Sequence, residues 1–259
     1  MTSPTPILVT APNFRDAGGH ATADGRKVRT GLMYRADGLG KVDATDTAVL
    51  VRLGIGLVVD LRSQTERDGE PDVLPAGTEL LIADVMGRQN DELFGEVFAD
   101  PNRAGELLGG TAGSDLMCEI YRRFVSAEGA RTAYRDVFTR MAAVDVPTVF
   151  HCSQGKDRTG WTQAVLLTLL DVPRATIVED YLASTEYLKG KNSEILRQIQ
   201  ARGFDPEHLK PVFDVREEYL DTAFTTAEQT YGSVEGYVRD GLGVSDADVD
   251  RLRARLLTN

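Results

Sequence analysis

A central, mostly parallel β-sheet flanked by helices is the architecture this sequence predicts, and three stretches predict it. Residues 146–150 form a short apolar, β-branched and aromatic run, which leads through a glycine-containing segment at 151–160 into an apolar run at 161–170. That is the order strand, loop, buried helix. Residues 55–61 are nearly continuous in apolar side chains apart from Asp60, the pattern of a strand covered on both faces, as in parallel sheets. Between these two, Ile120, Tyr121, Phe124, Tyr134, Val137, Phe138 and Met141 recur at helical spacing and predict two helices across 115–144 packed on the sheet.

The other elements follow in order. Residues 7–10 read as a short strand, and Asn13 to Gly19 as a turn in which Arg15 and Asp16 look like a local ion pair. Residues 32–35 read as a second strand. Asp43 is a cap for a helix through about Leu53, closed by Gly54. After the strand at 55–63 comes a further strand over 78–85. Residues 86–116, polar and glycine-rich at 109–113, are expected to be either a mobile loop with one short helix at 92–98 or partly disordered. Beyond 170 the pattern predicts helices from Pro173 to near Gly190, over 193–199 and over 215–227, then short ones capped by Ser233 and Ser245.

The 259 residues suit one large α/β domain over 1–259, since no proline- and serine-rich linker divides them. A net charge of −11, from 29 basic and 40 acidic residues, argues against nucleic acid or an anionic membrane as a bulk partner. An anionic substrate then needs a local positive site. Two cysteines make no disulfide framework, and His20, His151 and His208 show no metal-ligand spacing, so neither a metal nor another cofactor is expected. No apolar run reaches the roughly 20 residues of a membrane span. Met1 to Pro6 lack the basic start and apolar core of a signal peptide, so a cytoplasmic protein is expected, with export lacking a cleaved signal still compatible.

The loop at 151–160 is where the chemistry concentrates. A turn from a strand into a helix aims successive amides and the positive end of the helix dipole at one point, a seat for an anion. A cysteine at that point has its thiolate favoured over its thiol, and the thiolate is the attacking form, which makes Cys152 the candidate nucleophile. Arg158 follows after five residues, close enough for a curled loop to bring its guanidinium back over the sulfur. Its planar fork matches phosphoryl oxygens in a way lysine cannot. Gly155 allows the tight curl, and Thr159 is placed to donate a hydroxyl to the sulfur. Cys118, by contrast, reads as a small core hydrophobe. A nucleotide-binding P-loop is excluded, because Phe150 stands where glycine is required and Asp157 where serine or threonine is.

Residues 151–160, ending Gly155, Lys156, Asp157, Arg158, Thr159 and Gly160, resemble the signature of cysteine-dependent protein tyrosine phosphatases. Within them the chain is similar to bacterial tyrosine phosphatases of the mycobacterial secreted B type, which also resemble phosphoinositide phosphatases. Asn13, Phe14, Arg15, Asp16, Gly18 and Gly19, the run from Val58 to Ser63 with Glu66, and the stretches at 178–182 and 216–220 carry the same resemblance. It implies a tyrosine-phosphatase-like fold with a helical lid at about 176–213, and Asp157 as the acid in place of one on a separate loop.

Cys152, Arg158 and Asp157 are thus the expected catalytic residues. Ser153, Gln154, Gly155, Lys156 and Thr159 are expected to hold the phosphate, and His151 and Asp60 to support the loop. Asp60, at the carboxyl end of its strand, is expected to orient the Arg158 guanidinium. Lys156 is expected at the mouth of the loop, either as a second cation that favours multiply phosphorylated substrates or, equally, as a solvated side chain. The expected partner is a phosphorylated protein or a phosphoinositide. A non-catalytic phosphate-binding module would need only the arginine and the amides, and a sulfur transferase of the rhodanese type seldom ends its loop in Arg-Thr-Gly.

Overall fold

The computed structural model describes residues 6–259; Met1 to Thr5, on which the signal-peptide reading mostly rests, and the side chains of 88–90 lie outside the described residues. Five strands, β1 (Arg15–Asp16), β2 (Met33–Ala36), β3 (Leu57–Asp60), β4 (Glu79–Ile82) and β5 (Thr148–His151), form one sheet in the order β1-β2-β5-β3-β4. Only the β1–β2 pair is antiparallel. The register sets Ala36 and Asp60 beside His151 and Ile82 beside Asp60, so four strands finish at one level. Sites of open parallel sheets form beyond that carboxyl edge.

Alternation along each strand covers both faces. Leu57, Val59 and Phe150 point into the larger core, and Val58 and Val149 into a smaller one with Phe14, Tyr34 and Leu50. On the smaller side lies α1 (Ala44–Arg52), whose N-cap Asp43 accepts the Asp46 amide and which stops before Gly54, at φ +69°. The larger side is built from α5 (Ala112–Ser126), α6 (Glu128–Ala143), α7 (Arg158–Leu169), α8 (Arg174–Ala201) and α10 (Glu217–Tyr231). Also present are α2 (Gln64–Gly69), α3 (Gly87–Ala99), α4 (Pro101–Leu108), α9 (Pro206–Phe213), α11 (Val234–Gly236), a π-helical turn at Tyr237–Leu242, and α12 (Asp246–Leu256). Ser233 and Ser245 cap α11 and α12 as the sequence predicts.

Three expectations need correction. Residues 7–10 are irregular, because the amides of Val9 and Thr10 bond the Asp46 carboxylate and no strand pairs with them. The expected loop at 86–116 is instead helical: α3, α4 and the start of α5. Asp100 caps α4 with Pro101 in its first turn, a strong start signal. Among the glycines, Gly110 turns the chain at φ +63°, whereas Gly113 sits inside α5 where an added Cβ would lie 2.9 Å from Pro211 Cγ. The two helices expected on either side of Gly190 are the single 28-residue α8. A glycine in a helix costs only about 1 kcal/mol, which packing overcomes. Helix α9 falls within the lid expected at 176–213 but answers to no helix read from the apolar pattern; with α3, α4 and the second half of α8 it encloses a third cluster, Val97, Ala104, Leu108, Ile199, Phe204, Leu209 and Phe213.

Candidate active site

The chain leaves β5 at His151 and enters α7 at Arg158, so residues 152–157 must reverse direction in six steps. Gly155 makes this possible at φ +67°, and a Cβ there would sit 2.1 Å from the Ala36 carbonyl oxygen. The loop's carbonyls are bonded outward. That of Ser153 accepts the Gly38 amide at 3.2 Å. Those of Gln154 and Gly155 accept Asn13 Nδ2 at 2.8 and 3.1 Å, and Gly155 also accepts Arg35 Nη2 at 2.9 Å. A peptide N–H points away from its C=O, so outward carbonyls turn the amides inward, the arrangement of an anion-binding nest.

Asn13 and Arg15 therefore belong to the site's support, and the local pair read between Arg15 and Asp16 is not the arrangement found. Arg15 bonds Asn13 Oδ1 at 2.5 Å and reaches Ser184 and the Asp180 carbonyl on α8, each at 3.0 Å. Asp16 accepts the amides of Gly18 and Gly31 instead. Arg35, fully buried, bonds Asp180 at 2.5 Å. Burial and the neighbouring Arg35 lower Arg15 to about 10, against the pull of Asp180.

Arg158 is oriented by Glu66 and not by Asp60. Its two terminal nitrogens meet Glu66 Oε2 and Oε1 at 2.6 and 2.8 Å, a bidentate fork. Glu66 sits in the first turn of α2, where it also accepts the Ser63 amide at 2.9 Å in a capping box and accepts from the Ser153 hydroxyl. Burial works against both charges and the pairing outweighs it: Glu66 is held well below the usual carboxylate range, and Arg158 is raised by Glu66 first, then by Cys152 and Asp157.

Asp60 is instead engaged by Arg62, at 2.9 and 2.8 Å, and the same guanidinium bonds Asp72 at 2.8 Å. Asp72 in turn lies 3.0 Å from His151 Nε2, while His151 Nδ1 is 3.2 Å from the Cys152 carbonyl. Both ring nitrogens face acceptors, which a protonated imidazole satisfies. Burial lowers the affinity of His151 for its proton, but Asp72 outweighs burial and the net shift is upward. Asp60, Asp72 and His151 bring ligand-type atoms within 4.8 Å of one another, a grouping invisible in the spacing, and Arg62 already bonds both carboxylates.

A cavity of about 380 Å³ opens over the loop. Cys152, Ser153, Gln154, Lys156, Asp157 and Arg158 line its floor, and Met86, Phe94, Phe98, Met117, Ile120, Phe124, Val212 and Phe213 its walls. Asp91 of α3 also lines it, a carboxylate sequence reasoning had no signal to single out. Cys152 is 2% exposed. Gly155 and Thr159 are not among the lining residues. Thr159 Oγ1 is buried without a hydrogen-bond partner among the described residues, so the expected bond to the sulfur is not made. Lys156 does not stand free at the mouth. It is buried, its ammonium bonded to the carbonyls of Val212 at 2.5 Å and Asp214 at 2.9 Å, and it lies 3.7 Å from Asp157. The negative end of α9 captures it.

A cysteine, an arginine and an aspartate gathered in an amide-lined turn at the carboxyl edge of a parallel sheet are the architecture of a phosphoric monoester hydrolase. The chain matches the tyrosine phosphatase family over residues 7–258, and it belongs to that family. It is 35% identical to the triple specificity protein phosphatase PtpB of Mycobacterium tuberculosis, covering 95% of this chain and 96% of that one. A Cupriavidus necator protein named for a tyrosine-protein phosphatase is 33% identical over 96% of this chain and 86% of its own. A tyrosine-protein phosphatase of Nostoc commune is 30% identical over 86% and 73%.

Proposed function

We infer that this phosphatase acts through a phosphocysteine formed on Cys152, with phosphotyrosine in proteins as its first substrate class. The observation that carries this is the shared floor of one cavity by Cys152, Asp157 and Arg158, the last held in a fork by Glu66. In the first step the Cys152 sulfur attacks phosphorus in line. The Arg158 guanidinium and the inward amides take up the charge of the transferring phosphoryl group. Asp157 gives its proton to the leaving oxygen as the P–O bond breaks. In the second step a water attacks phosphorus, Asp157 takes the water's proton, and sulfur leaves as thiolate. Ser153 and Gln154 flank the phosphate, and Gly155 shapes the loop.

The apolar walls suit an aromatic ring standing above this floor. With Lys156 bound to carbonyls, the cation that would have favoured phosphoinositides is already engaged. The chain is read as one phosphatase domain in which α8 and α9 form a lid over the cavity. Among the described residues no helix is long and apolar enough to cross a membrane, and the free Cys118 and Cys152 fit a reducing, cytoplasmic setting.

C152S is expected to lower turnover on the order of a thousandfold or more while phosphate still binds. Turnover near wild type would remove Cys152 from this role. D157N should lose far more on an aryl phosphate with a poor leaving group than on one with a good leaving group, and equal losses would remove Asp157 as the acid. Relative rates on a phosphotyrosine peptide and a soluble phosphoinositide decide between those two substrate classes.

A further inference from the structure

Asp157 occupies the N-cap of α7, where an aspartate ordinarily accepts from an amide two or three residues on. Here its side chain makes no such bond. Oδ1 accepts instead from the Tyr121 hydroxyl on α5, at 2.8 Å. The Tyr121 oxygen lies 2.8 Å from the hydroxyl of Tyr181 on α8. A phenol has a single proton. With Tyr121's directed at Asp157, Tyr181 is the donor to Tyr121, and the chain has one polarity: Tyr181 to Tyr121 to Asp157.

Both rings are almost fully buried, and burial, together with the Asp157 charge, pushes both hydroxyls well above the usual tyrosine range, which keeps them donors. The approach of Tyr181 also accounts for Gly160, since a Cβ there would lie 2.8 Å from Tyr181 Cδ2. Packing alone asks for neither hydroxyl, that of Tyr121 on the carboxylate or that of Tyr181 on Tyr121. An apolar core position is filled as well by phenylalanine.

We propose that Tyr121 is a positioning residue of the acid–base step: by occupying Oδ1 it leaves Oδ2 as the oxygen that carries the proton, and Tyr181 fixes the direction of Tyr121's own bond. The proposal rests on the reading of Asp157 as the acid. In the forward step the Oδ2 proton moves to the leaving oxygen while Tyr121 keeps its own, and its bond to the resulting carboxylate becomes charge-assisted. Oδ2 lies 3.7 Å from Lys156 Nζ, and the Arg158 guanidinium is a second cation of the loop that feels the Asp157 charge.

The test compares the wild type, Y121F, Y181F, D157N and the Y121F/D157N double variant on two aryl phosphates, one with a good and one with a poor leaving group. Phenylalanine preserves the ring packing, and thermal melts verify the fold. Y121F is expected to lose about tenfold or more in kcat/KM on the poor leaving group, with a change within about threefold on the good one. Y181F should show the same pattern, weaker. The double variant should lose no more than D157N alone. Equal losses of D157N on both substrates would overturn the acid reading and this proposal with it. A leaving-group dependence in D157N with none in Y121F, or a double-variant loss beyond D157N, would overturn this proposal alone.

Discussion

The unit β5–loop–α7 and the outer group α3, α4 and α9 meet at the same cavity, the first as its floor and the second, through α3 and α9, as part of its walls, yet they are held in opposite ways. Every residue of β5 is buried, and so are 11 of the 12 in α7. The outer group shares a cluster of seven buried residues with the end of α8 and meets the loop through Lys156. Chemistry needs atoms fixed to a fraction of an ångström, and access needs a part that opens at lower free energy than the whole. With α8 and α9 as the lid proposed above, the two requirements fall to different cores.

The largest effect expected from breaking this arrangement lies at the joint between α2 and the loop. E66Q keeps the shape and removes the charge that orients Arg158, and kcat/KM should fall on the order of a hundredfold. Because the Glu66 carboxyl is held below its usual 4.5, its stabilisation is complete above that value and is lost as pH falls through the folded one. Melting temperatures of the wild type and E66Q should therefore differ at neutral pH and converge toward strongly acid pH. A constant difference would remove Glu66 from this role.

L209A sharpens the comparison from the other side. Leu209 is fully buried in the outer cluster and does not line the cavity. Its truncation should cost the outer group about 2–5 kcal/mol. Amide exchange in α9 and the second half of α8 should quicken while α7 keeps its protection. Equal loss of protection in α7 would show the two regions to be a single cooperative unit.

The smallest effect concerns His151. Its raised affinity for a proton means that the stabilisation from Asp72 is fully present below about 6.5 and is lost as pH rises through the folded value. In denaturant melts the gap between the wild type and D72N should be wider at pH 5.5 than at pH 8.5. A gap independent of pH would mean that Asp72 serves Arg62 alone.

The sequence was most legible where burial is complete. The apolar runs that end at Phe150 and begin at Trp161 carry a signal too continuous to misread, and Asp43, Ser233 and Ser245 announce helix starts by their own chemistry. Reading failed where a local breaker was outweighed by distant packing, as at Gly190 within α8 and Gly113 against Pro211. The partner of Arg158 was sought at the strand end, whereas the spacing of Ser63 and Glu66 already marked a capping box whose glutamate reaches back. Lys156 was placed in solvent because nothing local shows a helix end arriving from residues 212–214. Tyr121 reads by its spacing as one more core aromatic, and only its hydroxyl, meeting that of Tyr181 across two helices, sets it apart.

Asn13 grips the carbonyls of Gln154 and Gly155 from more than 140 positions away. During synthesis the clamp therefore emerges long before the loop it closes, and waits for it. A chain shortened from the front to begin after this segment would retain residues 151–160 and the holds of Arg35 and Gly38 on the loop, yet lose the one side chain that ties two of its carbonyls together, so screens for minimal active fragments should find tolerance at neither Asn13 nor its immediate neighbours.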